Sequence, residues 1–397
     1  MAAFSGPEIP NGGLVFDYDM SNTQKSWMGA PTTNLLTYSN QFEMWSSANV
    51  TVVLNTTIAP DGTMTADSAS NTPSAGSYLY PGAGTTGYVV STQYTRSVYA
   101  KAGVGTGILV FEWLASGSGT FNLLTGTASG TGASIISVGN GWYRCICTAT
   151  YTGTGGGNAW YIGAYGSTVT ATTLYLWGAQ VETSSFVTPL VTTTTAPASR
   201  SNTQSILDLA GSNTITASSL TYAANNTFSF NGSNSITIPY NASWFPSMAN
   251  EQTLIIWMKN TSSVTARRNP FNNAYGGAGT ITHENDTNFN YFYGTGGSDT
   301  TPYTALTSSF TVVVNETAMI AFTRTLTTVS SYKNGVFGNS MVNPYGACVV
   351  GTNPITIGSG YAGAFMGNLY AVQLYNRALT ATEVSLNFEA MRDRYGI

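Results

Sequence analysis

The sequence is poor in charge. Of 397 residues, only 8% are Asp, Glu, Lys or Arg, against roughly 25% in an ordinary soluble domain. A net charge of −4 supplies no basic field to draw in nucleic-acid phosphates. Histidine is nearly absent: His283 stands alone, which excludes a zinc site built on two or three imidazoles. The three cysteines form no metal-spaced cluster. Cys145 and Cys147 sit two apart in the strand-like run WYRCICTATY, where they share a face and are badly placed to bond each other. With Cys348 remote from both, buried free thiols are expected rather than a disulfide framework. Long apolar runs are also missing. TLIIWM (253–258) is strand length and far short of a bilayer span. The opening MAAFSGPEIPNGG has neither a basic region nor an apolar core and does not read as a secretory signal.

What is present points to strands. Hydrophobic residues make up 42% and aromatics 12%, enough to bury a large core and to argue against disorder. Short β-branched or aromatic runs recur: GLVFDYDM (13–20), TRSVYAKA (95–102), ILVFEWLA (108–115), TLYLWGAQ (173–180), SITIPY (235–240) and TLIIWMKN (253–260). Many alternate apolar with polar residues, as antiparallel strands with one buried face do. Asp61-Gly62, Asn140-Gly141 and Asn334-Gly335 supply hairpin turns. One helix is expected, at the end. Thr380 and Glu383 form a capping box, and Val384, Phe388, Met391 and Tyr395 make a single apolar stripe. Gly396 terminates it. VTTTTAPASRS (191–201) reads as an extended linker, and no fixed-period repeat of the kind a fibre shaft needs is present.

Residues from about 225 onward resemble the laminin-G/concanavalin-like family of jelly-roll lectin domains. The matching blocks are FSFNGSNSITIP (228–239), TLIIWMKN (253–260), MIAFTRTLTTVSSYKNGVF (319–337) and ITIGSGYAGAFMGNLYAVQLYNRALTATEV (355–384). The middle of the chain is similar to the carbohydrate-binding-module-like jelly rolls of bacteriophage virion proteins. It does so through NLLTYSNQFEMW (34–45), APDGTMTAD (59–67), SVGNGWYRCICTAT (137–150) and LYLWGAQVETSSF (174–186). Gly-Gly-Leu-Val-Phe-Asp-Tyr-Asp (12–19) resembles the opening strand of the laminin-G-like domain, whose continuation looks like SILDLAGSNTITASSLTY (205–222). An all-β chain of two antiparallel β-sandwiches is therefore expected. Residues 1–30 plus 202–397 form one discontinuous sandwich, and 31–198 form an inserted one.

The concanavalin-like superfamily includes glycoside hydrolases, which need two carboxylates flanking the scissile bond. Acids at i and i+2 of a strand share a face, and two such pairs occur: Asp17 with Asp19, and Glu284 with Asp286. Neither fits the hydrolases' Glu-x-Asp-x-x-Glu pattern, and nothing beside His283 forms a nucleophile elbow. No catalytic residue is expected. The same four acids are the candidates for calcium, which is left open, with no other cofactor expected. A glycan-binding module needs aromatic faces and amides. The candidates are Trp244, Phe245, Tyr275, Tyr291, Tyr293, Asn272 and Asn273, with Trp160, Tyr161 and Tyr165 in the inserted domain.

The resemblances imply a non-enzymatic virion surface protein: a capsid decoration, head fibre or tail adhesin made in the host cytoplasm without a signal peptide. Its expected partners are other virion proteins, copies of itself (a trimer by analogy with other virion adhesins) and host-surface polysaccharide, with neither nucleic acid nor membrane insertion. A free bacterial lectin and a glycan-cleaving hydrolase are the alternatives.

Overall fold

A computed structural model of the chain describes residues 8–22, 25–73, 76–81, 88–113, 117–153, 160–163, 170–211, 213–218, 221–222, 228–263, 266–284 and 288–397. The fold is all-β with one C-terminal helix. The chain divides into two compact units, Pro31–Ser201 and Ala2–Ala30 with Asn202–Ile397.

In the unit Pro31–Ser201, two antiparallel sheets of six described strands each form a sandwich. The outer strands of one are Ser46–Ala48 and Thr127–Ser129, and those of the other are Val50–Thr57 and Ala133–Gly139. The core sets Trp160, Phe111 and Phe121 against Val98, Ala100, Cys145, Cys147, Leu174 and Leu176. Cys145 and Cys147 are buried free thiols, and burial raises the pKa of both. The segment 191–201 is not a free linker. Its strand Ala198–Arg200 pairs with Thr32–Asn34, Asn34 Nδ2 donates to the Val191 carbonyl at 2.8 Å, and the Thr193 amide donates to Ser39 Oγ at 2.8 Å. Extended backbone there has found partners, as unsatisfied backbone groups require.

In the other unit, two antiparallel sheets, of eight and seven described strands, form the sandwich. The strand Leu14–Asp19 pairs antiparallel with Met366–Tyr375, a register that joins Tyr18 to Val372. Residues before the first unit and residues near the end of the chain thus share one sheet. The run Leu254–Met258 is completely buried, and its lack of alternation has a physical cause. Alternate side chains face the second sheet, while Ile255 and Trp257 face the helix α1 (Ala381–Tyr395). A strand covered on both faces has no polar side. The helix begins as its sequence dictates: Thr380 accepts from the Glu383 amide while the Glu383 side chain accepts from the Thr380 amide, and Gly396 closes it at φ 73°. Among the described residues, no helix is long and apolar enough to cross a membrane.

Candidate functional site

The seven-stranded sheet runs through strands Arg268–Ala274, Gly279–His283, Phe289–Gly294 and Tyr303–Thr307. In Phe289–Gly294, the period of two turns Phe289, Tyr291 and Tyr293 into the core and Asn290 and Phe292 outward. Tyr291 donates to Gln252 Oε1 at 2.6 Å and stacks on Phe322 of the facing sheet, with centroids 5.4 Å apart. Tyr293 is fully buried, and the Arg324 guanidinium lies 5.8 Å from its ring centroid. Both were candidates for ligand stacking, and the structure removes both from the surface. The run NFNYFYG carries aromatics on both faces, so aromatic content alone did not reveal its phase. Three aromatics at 289, 291 and 293 mark the buried side.

The outward face is aromatic in a different way. Tyr275 lies 4.7 Å from Tyr361 and 4.9 Å from Tyr303, ring centroid to centroid, and Phe292 lies 5.9 Å from Tyr303. Tyr303 and Tyr361 are 42% and 43% exposed. Arg267 closes one side: its guanidinium sits 5.6 Å from the Phe292 centroid, donates to the Tyr361 hydroxyl at 3.4 Å, and pairs with Glu284 at 2.9 Å. Burial raises the Tyr361 pKa and the nearby Arg267 opposes that shift. Glu284 also accepts from Thr282 at 2.5 Å and from Asn290 at 3.1 Å. Asn272, half-buried beneath this face, accepts from Thr280 at 3.0 Å.

Tyr361 reaches this position on a glycine-rich loop laid over strand Arg268–Ala274. Asn269 Oδ1 accepts from the Ala362 amide at 2.7 Å, and a Cβ on Gly360 would meet Asn269 and Asn272 side-chain atoms at 2.6–2.7 Å. Only glycine permits that approach. Tyr303, Tyr361 and Arg267 were missed from sequence. A tyrosine set between Gly360 and Gly363 was the available signal for Tyr361.

The remaining candidates fall elsewhere. Asn273 is buried and donates to the Asn353 carbonyl at 3.0 Å. Phe245 is fully buried, and Trp244 is nearly so, its indole N–H bound to Asn213 Oδ1 at 2.7 Å. The exposed ring beside them is Tyr240, on a recess of about 310 Å³ lined also by Asn213 and Asn241. Trp160 belongs to the core of its unit, 4.8 Å from Trp45 and 4.7 Å from Phe111. Tyr161 is 9% exposed and directs its hydroxyl to Glu112 at 3.3 Å. Tyr165 and Asp286 lie outside the described residues.

Asp17 and Asp19 do not form an open pair. Asp17 and Asp19 share a face, and α1 covers it: they are 3% and 2% exposed. Asp19 accepts from Ser21, from the Tyr395 hydroxyl and from Arg394 at 2.7 Å. Burial, then the neighbouring Asp19 and Asp208, push the Asp17 pKa up to about 8. Asp19 is paired with Arg394 and Glu284 with Arg267, so Asp17, Asp19 and Glu284 do not make a calcium site among the described residues. Among the described residues, no three His, Cys, Asp or Glu side chains converge as a metal set. His283 is buried and stacked on Phe289 at 4.4 Å.

Residues 230–385 match the family model of the concanavalin A-like lectin/glucanases superfamily. This segment is a concanavalin A-like domain. It includes the strands that carry Phe292 and Tyr303, the turn that carries Tyr275 and the loop that carries Tyr361. Among solved structures, the chain is similar to the binding domain of botulinum neurotoxin DC in complex with rat synaptotagmin II, at 9% identity and a TM-score of 0.40, covering 48% of this chain and 50% of that one. It is similar at 12% identity and the same TM-score to the botulinum neurotoxin serotype D ligand binding domain in complex with N-acetylneuraminic acid, covering 48% and 49%. The chain spans about half the length of these structures. No curated protein matches it.

Proposed function

We propose that the chain is a non-enzymatic glycan-binding protein displayed on a phage particle, and that its concanavalin-like domain binds host-surface polysaccharide across the outward face of the seven-stranded sheet. The observation that carries this reading is the group Tyr275, Phe292, Tyr303 and Tyr361, two of whose rings are more than two-fifths exposed. Flat apolar rings stack on sugar faces, while Arg267 and Asn272 offer hydrogen-bonding partners for hydroxyls. The Arg267–Glu284 pair leaves the face without net charge, which suits neutral sugars. Burial of Asp17 and Asp19 beneath α1, and commitment of Glu284 to Arg267, favour binding over hydrolysis.

The test is a glycan array probed with the full chain and with the Tyr303→Ala/Tyr361→Ala double variant. The wild type is expected to bind a subset of neutral glycans, and the double variant to lose at least about tenfold in affinity, or about 1.4 kcal/mol, with its circular dichroism unchanged. Equal binding by both proteins would remove the face from the reading. Release of reducing ends by the wild type would overturn the non-enzymatic part. Gold labelling of intact particles with an antibody to the chain checks display.

A further inference from the structure

We propose a second ligand site, in the unit Pro31–Ser201: a cleft that takes a single sugar ring bearing a carboxylate. Strand Gln93–Ala102 lies between Trp142–Thr150 and Thr173–Glu182, and its register sets Lys101 opposite both Trp142 and Tyr175. The loop 58–65 folds back over this face and is fixed there at both ends. Trp142 donates its indole N–H to the Ile58 carbonyl at 3.1 Å, and Trp177 donates to Thr65 Oγ1 at 3.1 Å. Asp61 Oδ1 accepts from the amide and the hydroxyl of Thr63 at 2.9 and 2.7 Å, which holds the turn between them. The opposite wall is the hairpin Gly139-Asn140-Gly141, whose φ values of 90°, 53° and 76° make a tight left-handed turn.

Two rigid turns thus enclose a cavity of about 290 Å³, at the small end of ligand pockets, which run from about 300 Å³ upward. One pyranose ring fits such a volume; a chain of rings does not. Ile58 and Val138 flank it at 55% and 42% exposed, offering aliphatic surface to the C–H face of a ring. Thr57 and Asn140 also line it, with a hydroxyl and an amide to meet ring hydroxyls. Among the described residues, Lys101 is the only charged one lining the cavity, and no carboxylate pairs with it. In a chain of net charge −4, an ammonium on a half-buried lysine that no carboxylate neutralises is complementary to an anion. A bare anion would leave Ile58 and Val138 unused, whereas a uronic acid uses both parts of the cleft. This site is independent of the Tyr303 and Tyr361 face.

Calorimetric titration of the full chain with glucuronate, glucose and acetate tests it, on wild type, Lys101→Met and Ile58→Asp. Lys101→Met keeps the aliphatic stem and removes the charge, while Ile58→Asp places a like charge at an exposed rim position. Glucuronate is expected to bind at least about tenfold more tightly than either comparator, and each variant to lose about tenfold. Glucuronate binding is also expected to weaken with salt. The Tyr303→Ala/Tyr361→Ala variant is expected to bind glucuronate as the wild type does. Equal affinity for glucose, or equal affinity for acetate, overturns the proposal. So does undiminished glucuronate binding by Lys101→Met, and so does loss of glucuronate binding in the tyrosine double variant.

Discussion

The two sheets of the concanavalin-like unit both turn aromatic side chains outward, and those side chains meet opposite fates. On the eight-stranded sheet, Trp257 is fully buried because α1 lies over it: Phe388 stacks on its ring at 5.7 Å with 5° between the planes, and Tyr395 sits 5.2 Å away. Over the seven-stranded sheet, Tyr303 packs edge to face with Tyr275 and Tyr361 with Phe292, but both keep about two-fifths of their surface in solvent. Both faces carry large aromatic rings. The difference is whether a later element of the chain covers the face, and that decides between a core and a binding surface.

The largest expected effect breaks the covered face. Trp257→Ala removes a fully buried ring from a cluster that includes Met319, Phe388 and Met391. It should cost about 3–5 kcal/mol, read as a lowered midpoint in chemical denaturation. Where the variant remains folded, its affinity for glycans should stay within about twofold of wild type, because the ligand face is on the other sheet.

The covered face also hides a titratable group, so pH sharpens the comparison. Asp17 has a pKa of about 8 in the fold against 3.8 for an ordinary aspartate. Between those values the unfolded chain has released this proton and the folded chain has kept it. Stability therefore falls as pH rises through that window, and the loss is complete above about pH 8. Asp17→Asn removes the titration. It should stabilise the protein by about 2 kcal/mol or more at pH 8 and leave stability at pH 4 little changed. Equal stability changes at both pH values would show that Asp17 is not held protonated beneath the helix.

The strands, the turn glycines and α1 were legible because each is written locally. Asn334 and Gly335 have the positive φ that their dipeptide requires, at 51° and 78°, and the Thr380 capping box needs only four residues. The site was less legible. Trp244, Phe245, Trp160, Tyr291 and Tyr293 are aromatic residues next to turns or in short strands, and local pattern does not report which sheet face another element will cover. The burial of Asp17 and Asp19 depends on a helix more than 360 positions further along the chain, through Arg394 and Tyr395. Tyr275 and Asn272 were found. Tyr361 was missed because its place depends on the backbone approach that Gly360 allows, not on strand periodicity.

The smallest expected effect is the one that separates a site from a core. Tyr361 makes ring contacts to Tyr275 and Phe292 and accepts a long hydrogen bond from Arg267, yet 43% of it faces solvent. Truncating it leaves an open notch that water fills, with no sealed cavity and no buried polar group orphaned. Arg267 keeps Glu284 at 2.9 Å. Tyr361→Ala should therefore cost less than about 1 kcal/mol in stability, several-fold below Trp257→Ala, while its loss of glycan affinity is of the same order as its loss of stability or greater. A destabilisation near that of Trp257→Ala would make the four rings a second structural cap, equivalent to α1. A small one accompanied by weakened glycan binding identifies a surface held open for a ligand.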